Sequence, residues 1–156
     1  MRRAALLLVL LAGCSSESAV PTATILETAP ALLDPDDDAA DDLTIVVRYH
    51  DGDGDLGGGV AEVIDCRVEN LVTTLALPPI ASDEAVAEGV PIDGELELLV
   101  ADVGRVPAEP VVTPECVRLG VPETPIADAV SFCVVLVDAA GHRGPGACTS
   151  PVALRP

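Results

Sequence analysis

The sequence predicts an all-β fold, a single antiparallel β-sandwich of about seven short strands. Several segments alternate apolar and polar residues, turn-forming residues separate them, and no segment has the apolar spacing of an amphipathic helix. Strands with one apolar face bury that face against a second sheet. Six strands are expected at residues 22–27, 43–49, 60–68, 94–103, 131–137 and 147–154, with one more inside 70–80.

The first half of the chain contains the clearest strand. Residues 43–49, LTIVVRY, combine β-branched residues with an aromatic residue, a composition typical of strands. Residues 22–27, TATILE, are also β-branched and are expected to form the first strand. Residues 60–68 alternate apolar and polar side chains and are expected to form the return strand after the acidic loop, with a bulge. Pro78 ends the strand inside 70–80.

The second half contributes three more strands. Residues 94–103, GELELLVADV, again alternate apolar and polar side chains. Residues 131–137, SFCVVLV, lead into a glycine-rich hairpin loop at 138–146. Residues 147–154 form the last strand, and Pro151 predicts that it lies at a sheet edge because proline cannot donate a ladder hydrogen bond.

Three connecting segments are predicted to be loops without long regular structure, residues 28–42, 81–93 and 104–129, with 111–112 and 117 as candidates for short edge strands. Six of the nine residues at 34–42 are aspartate, which indicates a solvated loop, with loose cation binding as the alternative. Five prolines in 104–129 argue against long helices or strands there.

The composition excludes two classes of partner. The formal net charge is −18, with 26 acidic and 8 basic residues, so the surface cannot neutralise nucleic-acid phosphates or adsorb by charge to anionic lipid. Tyr49 and Phe132 are the only aromatic residues. The core is therefore aliphatic, and an aromatic-lined sugar pocket is not expected.

The N-terminus resembles a bacterial lipoprotein signal with its lipobox. Arg2 and Arg3 precede an apolar run at 4–11 that is too short to span a bilayer, and Leu-Ala-Gly-Cys follows at 11–14. The resemblance implies a lipid on Cys14. An ordinary secretory signal or an N-terminal anchor is the alternative. The expected division is a signal at 1–13, a lipidated tether at 14–21 and the sandwich at 22–156.

Serine at position 15 resembles the residue found after the lipidated cysteine in outer-membrane lipoproteins. The expected location is therefore the cell envelope, at the outer membrane, with the membrane as a partner through the lipid. No nucleic-acid partner is expected.

Three stretches of the chain resemble immunoglobulin-like or fibronectin-type-III-like domains of bacterial surface lipoproteins. They are LTIVVRYHDGDGDLG at 43–57, GELELLV at 94–100 and FCVVLVDAAGHRGPGACTSPV at 132–152. In such domains one strand runs into an Asp-Gly loop, and a hairpin with the pattern D-x-x-G-(N/H) closes the fold. The resemblance implies an immunoglobulin-like sandwich in which the loops at 51–59 and 138–146 lie at the same end.

Four cysteines remain besides Cys14, and an even number in an exported chain predicts two disulfides. Free buried thiols and a four-cysteine metal site are the alternatives, but the chain has no CxxC spacing, which disfavours zinc. The immunoglobulin-like arrangement favours Cys66–Cys116 with Cys133–Cys148. Cys66–Cys133 with Cys116–Cys148 remains the alternative.

The loop YHDGDGDLGGGVAE at 49–62 contains the candidate metal ligands. Asp51, Asp53, Asp55 and Glu62 occupy positions 1, 3, 5 and 12 of a calcium loop. Leu56 stands where an EF-hand requires glycine, and no flanking helices are predicted. The pattern therefore indicates a calcium-binding D-x-D-x-D loop between two strands.

The implied immunoglobulin-like topology adds a fifth candidate ligand to this loop, Asp138. Two alternatives remain open. The loop can be a solvated glycine-rich hairpin with Asx-turns, or His50 and His142 can join the aspartates in a transition-metal site.

No catalytic motif is present: the chain lacks GxSxG, HExxH, a P-loop and a dinucleotide-binding glycine pattern. The expected function is therefore a non-catalytic, lipid-anchored structural, adhesive or interaction module, stabilised by calcium. The alternative is a small metal- or ligand-binding lipoprotein that is accessory to a larger envelope complex.

Overall fold

A computed structural model describes residues 18–34, 41–67, 71–101, 103, 112–126 and 128–155. It confirms an all-β protein whose three open sheets are consistent with a β-sandwich. The predicted signal at 1–13 and the lipidation site Cys14 lie outside these residues. Among the described residues, no helix is long and apolar enough to cross a membrane.

The first sheet contains three antiparallel strands. Strand β1 (Thr22–Ala29) and strand β6 (Ile92–Val100) flank the central strand β3 (Leu43–Asp51). In β3, alternate residues from Leu43 to Asp51 are buried, which is the period of two that the sequence predicts for a strand with one face in the core. A bulge interrupts β1 after Ile25.

The second sheet has four strands in the order β5 (Val72–Ala76), β4 (Val60–Asp65), β8 (Phe132–Val137) and β9 (Ala147–Cys148). All neighbours are antiparallel. Strand β4 is shorter than the predicted 60–68 because Cys66 begins a turn after Asp65.

A third, small sheet contains β2 (Leu32–Leu33), β10 (Val152–Leu154) and β7 (Ala129–Val130). The predicted strand at 147–154 is thus two strands. The strand breaks here for two reasons. The Thr149 hydroxyl accepts a hydrogen bond from the Phe132 amide, and Pro151 has no amide hydrogen to donate to a neighbouring strand. The prediction of a structureless 28–42 segment missed β2.

Two short helices occur in segments that were predicted to be irregular. Helix α1 (Asp83–Glu88) begins at Ser82, whose hydroxyl accepts the Ala85 amide. Helix α2 (Pro114–Arg118) begins at Thr113, whose hydroxyl accepts the Cys116 amide. Helices of five and six residues are too short to produce a recognisable apolar period, so only their caps could have predicted them.

The main core lies between the first two sheets and is aliphatic, as the composition predicts. Phe132 is the largest fully buried side chain. The third sheet contributes apolar side chains at one end of this core. Fully buried members from the first two sheets include Leu43, Ile45, Val47, Ala61, Val134 and Leu136.

The two disulfides form a second, smaller core on the outer face of the second sheet. The sulfurs of Cys66 and Cys116 are bonded at 2.06 Å, and those of Cys133 and Cys148 at 2.02 Å, which is the pairing that the immunoglobulin-like arrangement favoured. Cys133 lies on this outer face. It is nevertheless fully buried, because the segment around α2 packs over it.

Candidate metal site

The loop between β3 and β4 is folded tightly against the loop after β8. Gly54 adopts φ of +76°, a conformation that glycine reaches without a Cβ clash. Gly59 has no space for a side chain, because a Cβ there would overlap the Val137 carbonyl oxygen. Leu56 is fully buried in the main core, so the residue that breaks the EF-hand pattern holds this loop in place.

The two loops bring four carboxylates together at one end of the molecule. One oxygen from each of Asp51, Asp53, Asp55 and Asp138 lies within 4.8 Å of the others. We call this group the four-aspartate cluster. The cluster lies at the end of the molecule where β3 and β8 end and β4 begins. We call this end the aspartate pole. The convergence agrees with the expectation that the immunoglobulin-like topology implied for Asp138, a residue in a loop more than eighty positions away.

Backbone amides hold the carboxylates in position. The Leu56 amide donates to Asp51 Oδ2 at 2.9 Å, and the Ala140 amide donates to Asp55 Oδ2 at 3.1 Å. The His142 amide donates to Asp138 Oδ1 at 2.7 Å. These contacts orient the side chains but leave carboxylate lone pairs unused. Sequence reasoning could not find these donors, because every residue except proline has a backbone amide.

Three oxygens of the cluster are buried without a hydrogen-bond partner among the described residues. They are the Oδ1 atoms of Asp51, Asp53 and Asp55. Asp51 is 0% exposed and Asp138 is 3% exposed, whereas Asp53 and Asp55 are half-buried. A buried carboxylate oxygen without a donor is costly, and native structures rarely leave one unsatisfied. A cation between these oxygens would satisfy all three.

Burial and mutual repulsion disfavour the charged form of the cluster. Burial raises the pKa of Asp51 from 3.8 to about 6, with Asp53, Asp55 and Asp138 adding to the shift and the Leu56 amide opposing it. Burial also raises the pKa of Asp55, and the Asp138 and Asp53 carboxylates raise it further. Among the described residues, the basic side chain hydrogen-bonded to the cluster is that of His142, and it is half exposed.

Glu62, the fifth residue expected at this site, lies elsewhere. It occupies β4 beside Val135, and its Oε2 accepts a hydrogen bond from Arg143 Nε at 3.0 Å. Its inclusion with the aspartates is wrong because side chains alternate along a strand. Ala61 and Val63 face the main core, so Glu62 faces outward.

The two histidines do lie at the aspartate pole, but neither belongs to the four-aspartate cluster. His142 Nδ1 is 2.9 Å from Asp138 Oδ2, and this hydrogen bond and the charge of Asp138 raise the pKa of His142. His50 Nδ1 is 2.9 Å from Asp93 Oδ1 on the neighbouring strand. The group that converges is all oxygen, which disfavours the transition-metal alternative.

Comparison of the chain with models of known families, with curated proteins and with solved structures finds no match. The functional argument therefore depends on the residues and geometry of this chain.

The metal-free protein should lose stability as the pH rises from about 4 to about 6. The Asp51 pKa is raised in the folded state, so the protonated form of Asp51 stabilises the fold. This contribution to stability is fully present below pH 3.8 and is lost as the pH rises through about 6. A shift of this size corresponds to roughly 3 kcal/mol from Asp51. Urea unfolding at several pH values in the presence of a chelator measures it.

Asp51→Asn is the matched control for this pH series. The amide retains an oxygen for the Leu56 amide but does not ionise, so the variant should be more stable than the wild type at pH 7 without metal. Equal dependence on pH in the two proteins between 4 and 6 would contradict the assignment to Asp51.

Proposed function

We propose that this chain is a non-catalytic, lipid-anchored module of the bacterial cell envelope, an immunoglobulin-like β-sandwich stabilised by calcium in the four-aspartate cluster. The observation that carries the proposal is the convergence of four carboxylates, in which the Oδ1 atoms of Asp51, Asp53 and Asp55 are buried without a hydrogen-bond partner among the described residues. The Leu-Ala-Gly-Cys sequence at 11–14 and the two disulfides support export and anchoring.

The donor set favours calcium over other common metals. Four carboxylates and no sulfur or imidazole make a hard oxygen site. Calcium takes six to eight oxygen ligands in flexible geometry, whereas magnesium requires a near-ideal octahedron and retains several waters. A loop in which aspartates alternate with glycines supplies carboxylates at irregular angles, which suits the larger ion.

The bound ion would connect two parts of the fold. Asp51 ends a strand of the first sheet, and Asp138 follows a strand of the second sheet. A cation shared by these residues joins the sheets at the aspartate pole, and its charge offsets the repulsion among the carboxylates. This role is structural, so it needs no substrate and fits a module that presents surfaces to an envelope partner.

Calcium should raise the melting temperature of the protein relative to a chelator. At a calcium concentration one hundred times the dissociation constant, binding stabilises the native state by about 2.7 kcal/mol. For a domain of this size, that stabilisation raises the melting temperature by roughly 10 °C. Calorimetry at pH 7 with millimolar calcium or with a chelator gives the comparison.

Two aspartate variants separate binding from a general charge effect. Asp53→Asn removes a cluster carboxylate and should abolish the calcium-dependent rise. Asp93→Asn removes an exposed carboxylate at the same pole, bonded to His50 and outside the cluster, and should retain the rise. No shift of the wild-type protein at millimolar calcium would refute the site.

A further inference from the structure

The described part of the chain begins at the aspartate pole. Pro21 is buried, and its carbonyl oxygen lies so close to Gly144 that a Cβ there would overlap it. The next residue, Thr22, pairs with His50 at the end of β3, one residue before Asp51. Gly144 belongs to the loop that carries Asp138. The N-terminal segment therefore leaves the fold beside the four-aspartate cluster.

The C-terminal segment leaves the fold at the other end. Ala153 of β10 pairs with Ala129, and the Leu154 amide donates to the Asp128 carbonyl. Of these residues, Asp128 and Ala129 precede the start of β8 at Phe132, and β8 runs from there to its aspartate-pole end at Val137. The two ends of the molecule are about 30 Å apart, from the nine residues of β3 at about 3.3 Å each.

A lipid on Cys14 would keep the aspartate pole near the membrane. Cys14 precedes Pro21 by seven residues, and a fully extended chain spans at most about 3.6 Å per residue, so the separation is at most about 25 Å. The tether therefore keeps the aspartate pole within reach of the bilayer surface.

Charge decides whether this end can touch the bilayer. The chain has a net charge of −18, and four of its carboxylates, those of the cluster, lie together at the end nearest the lipid. Without a cation these carboxylates repel the phosphates of lipid headgroups. A calcium ion in the cluster reverses the local interaction, because phosphate oxygens are hard ligands of the kind that calcium prefers.

The cluster can hold an ion and still leave ligand positions open. Its four side chains offer fewer oxygens than the six to eight that calcium takes, unless several of them bind with both oxygens. Asp51 and Asp138 close the inner side of the cluster, whereas Asp53 and Asp55 are half-buried and form its outer side. An outside ligand would approach over these two residues.

We propose that the aspartate pole is the membrane-facing end of the anchored protein, and that it docks on lipid headgroup phosphates when a divalent cation occupies the four-aspartate cluster. The inference rests on the proposed function, both for the lipid on Cys14 and for the cation. It adds an orientation and a partner surface, so the end formed by β10 and the start of β8 is left to meet other envelope components.

Terbium luminescence can test this docking on the mature lipidated protein in phosphatidylglycerol–phosphatidylcholine vesicles. Terbium is a luminescent substitute for calcium, and tyrosine sensitises its emission. Tyr49 is the only tyrosine, the chain has no tryptophan, and Tyr49 lies two residues before Asp51. Tyr49→Phe should remove the sensitised emission and so identifies the signal that comes from the site.

Energy transfer to a headgroup-labelled acceptor lipid then reports the distance from the cluster to the bilayer. We expect the acceptor to shorten the terbium lifetime several-fold. A donor fluorophore attached after Pro156 should show much weaker transfer. Insertion of a 20-residue Gly-Ser linker between Ser16 and Glu17 should leave the terbium transfer nearly unchanged if the cation docks the pole. That linker adds a mean reach of about 25 Å, so transfer that depends on the tether alone would fall.

The outcomes distinguish this inference from the proposed function. Sensitised emission without energy transfer would overturn the docking but leave the calcium site intact. Equal transfer from the C-terminal donor, or loss of transfer on lengthening the tether, would overturn it in the same way. Absence of sensitised emission, in solution or on vesicles, would overturn the calcium site and the docking together.

Discussion

Arg67→Ala should lower the free energy of unfolding by about 3–5 kcal/mol, because it leaves Asp65 as a buried charge without its partner. Arg67 Nη2 lies 2.6 Å from Asp65 Oδ2, and Nε contacts both carboxylate oxygens of the same residue. Nη2 also donates to the Val103 carbonyl at 2.7 Å. Both side chains are more than nine-tenths buried, so water cannot replace the lost contacts. Equilibrium unfolding in urea measures the loss.

Arg48→Ala is the matched control for this variant. Arg48 also forms an ion pair with a carboxylate, Glu95, but both side chains are more than half exposed. Exposed pairs contribute less than about 1 kcal/mol, so this variant should remain close to the wild type. A double replacement of Asp65 and Arg67 by Leu and Met should recover much of the stability, since no unpaired charge remains. An Arg67→Ala cost no larger than that of Arg48→Ala would contradict the buried-pair argument.

Removal of the Cys66–Cys116 disulfide should cost about 4 kcal/mol, more than the roughly 3 kcal/mol expected for Cys133–Cys148. The difference follows from the chain that each bond closes, 50 residues in one case and 15 in the other. Opening the longer loop returns more conformational entropy to the unfolded chain. The same bond also fixes the α2 segment over the outer face of the second sheet.

Double cysteine-to-alanine variants, one for each disulfide, provide the measurement by urea unfolding. Peptide mapping of the unreduced protein checks the pairing itself, and a peptide that links Cys66 to Cys133 would contradict it. A larger loss of stability on removing Cys133–Cys148 would show that loop entropy does not dominate at these two bonds.

The strand pattern and the Asp-Gly loop were predictable from local sequence. Alternating burial in β3 follows the period of two in LTIVVRYHD, and the glycines around Asp53 mark a tight turn whatever the rest of the fold does. The aliphatic composition determined the character of the core. The helices α1 and α2 were missed because such short helices depend on single capping residues.

Disulfide pairing was only partly determined by the sequence. The sulfurs of Cys66 and Cys133 are 3.6 Å apart although they belong to different bonds. Cys66 therefore lies close to both of the cysteines that the two predicted pairings assign to it, Cys116 and Cys133. The packing of the α2 segment decides between them, since it brings Cys116 to Cys66.

For the candidate metal site, the sequence by itself determined that three aspartates share one loop with the glycines that let it turn. Only the tertiary structure decided which other carboxylate joins them. Asp138 does, because β8 ends beside the start of β4, whereas Glu62 does not, because strand alternation turns it outward toward Arg143. Local sequence fixes backbone preference and side-chain period, but convergence of distant side chains depends on which strands pair and in what register.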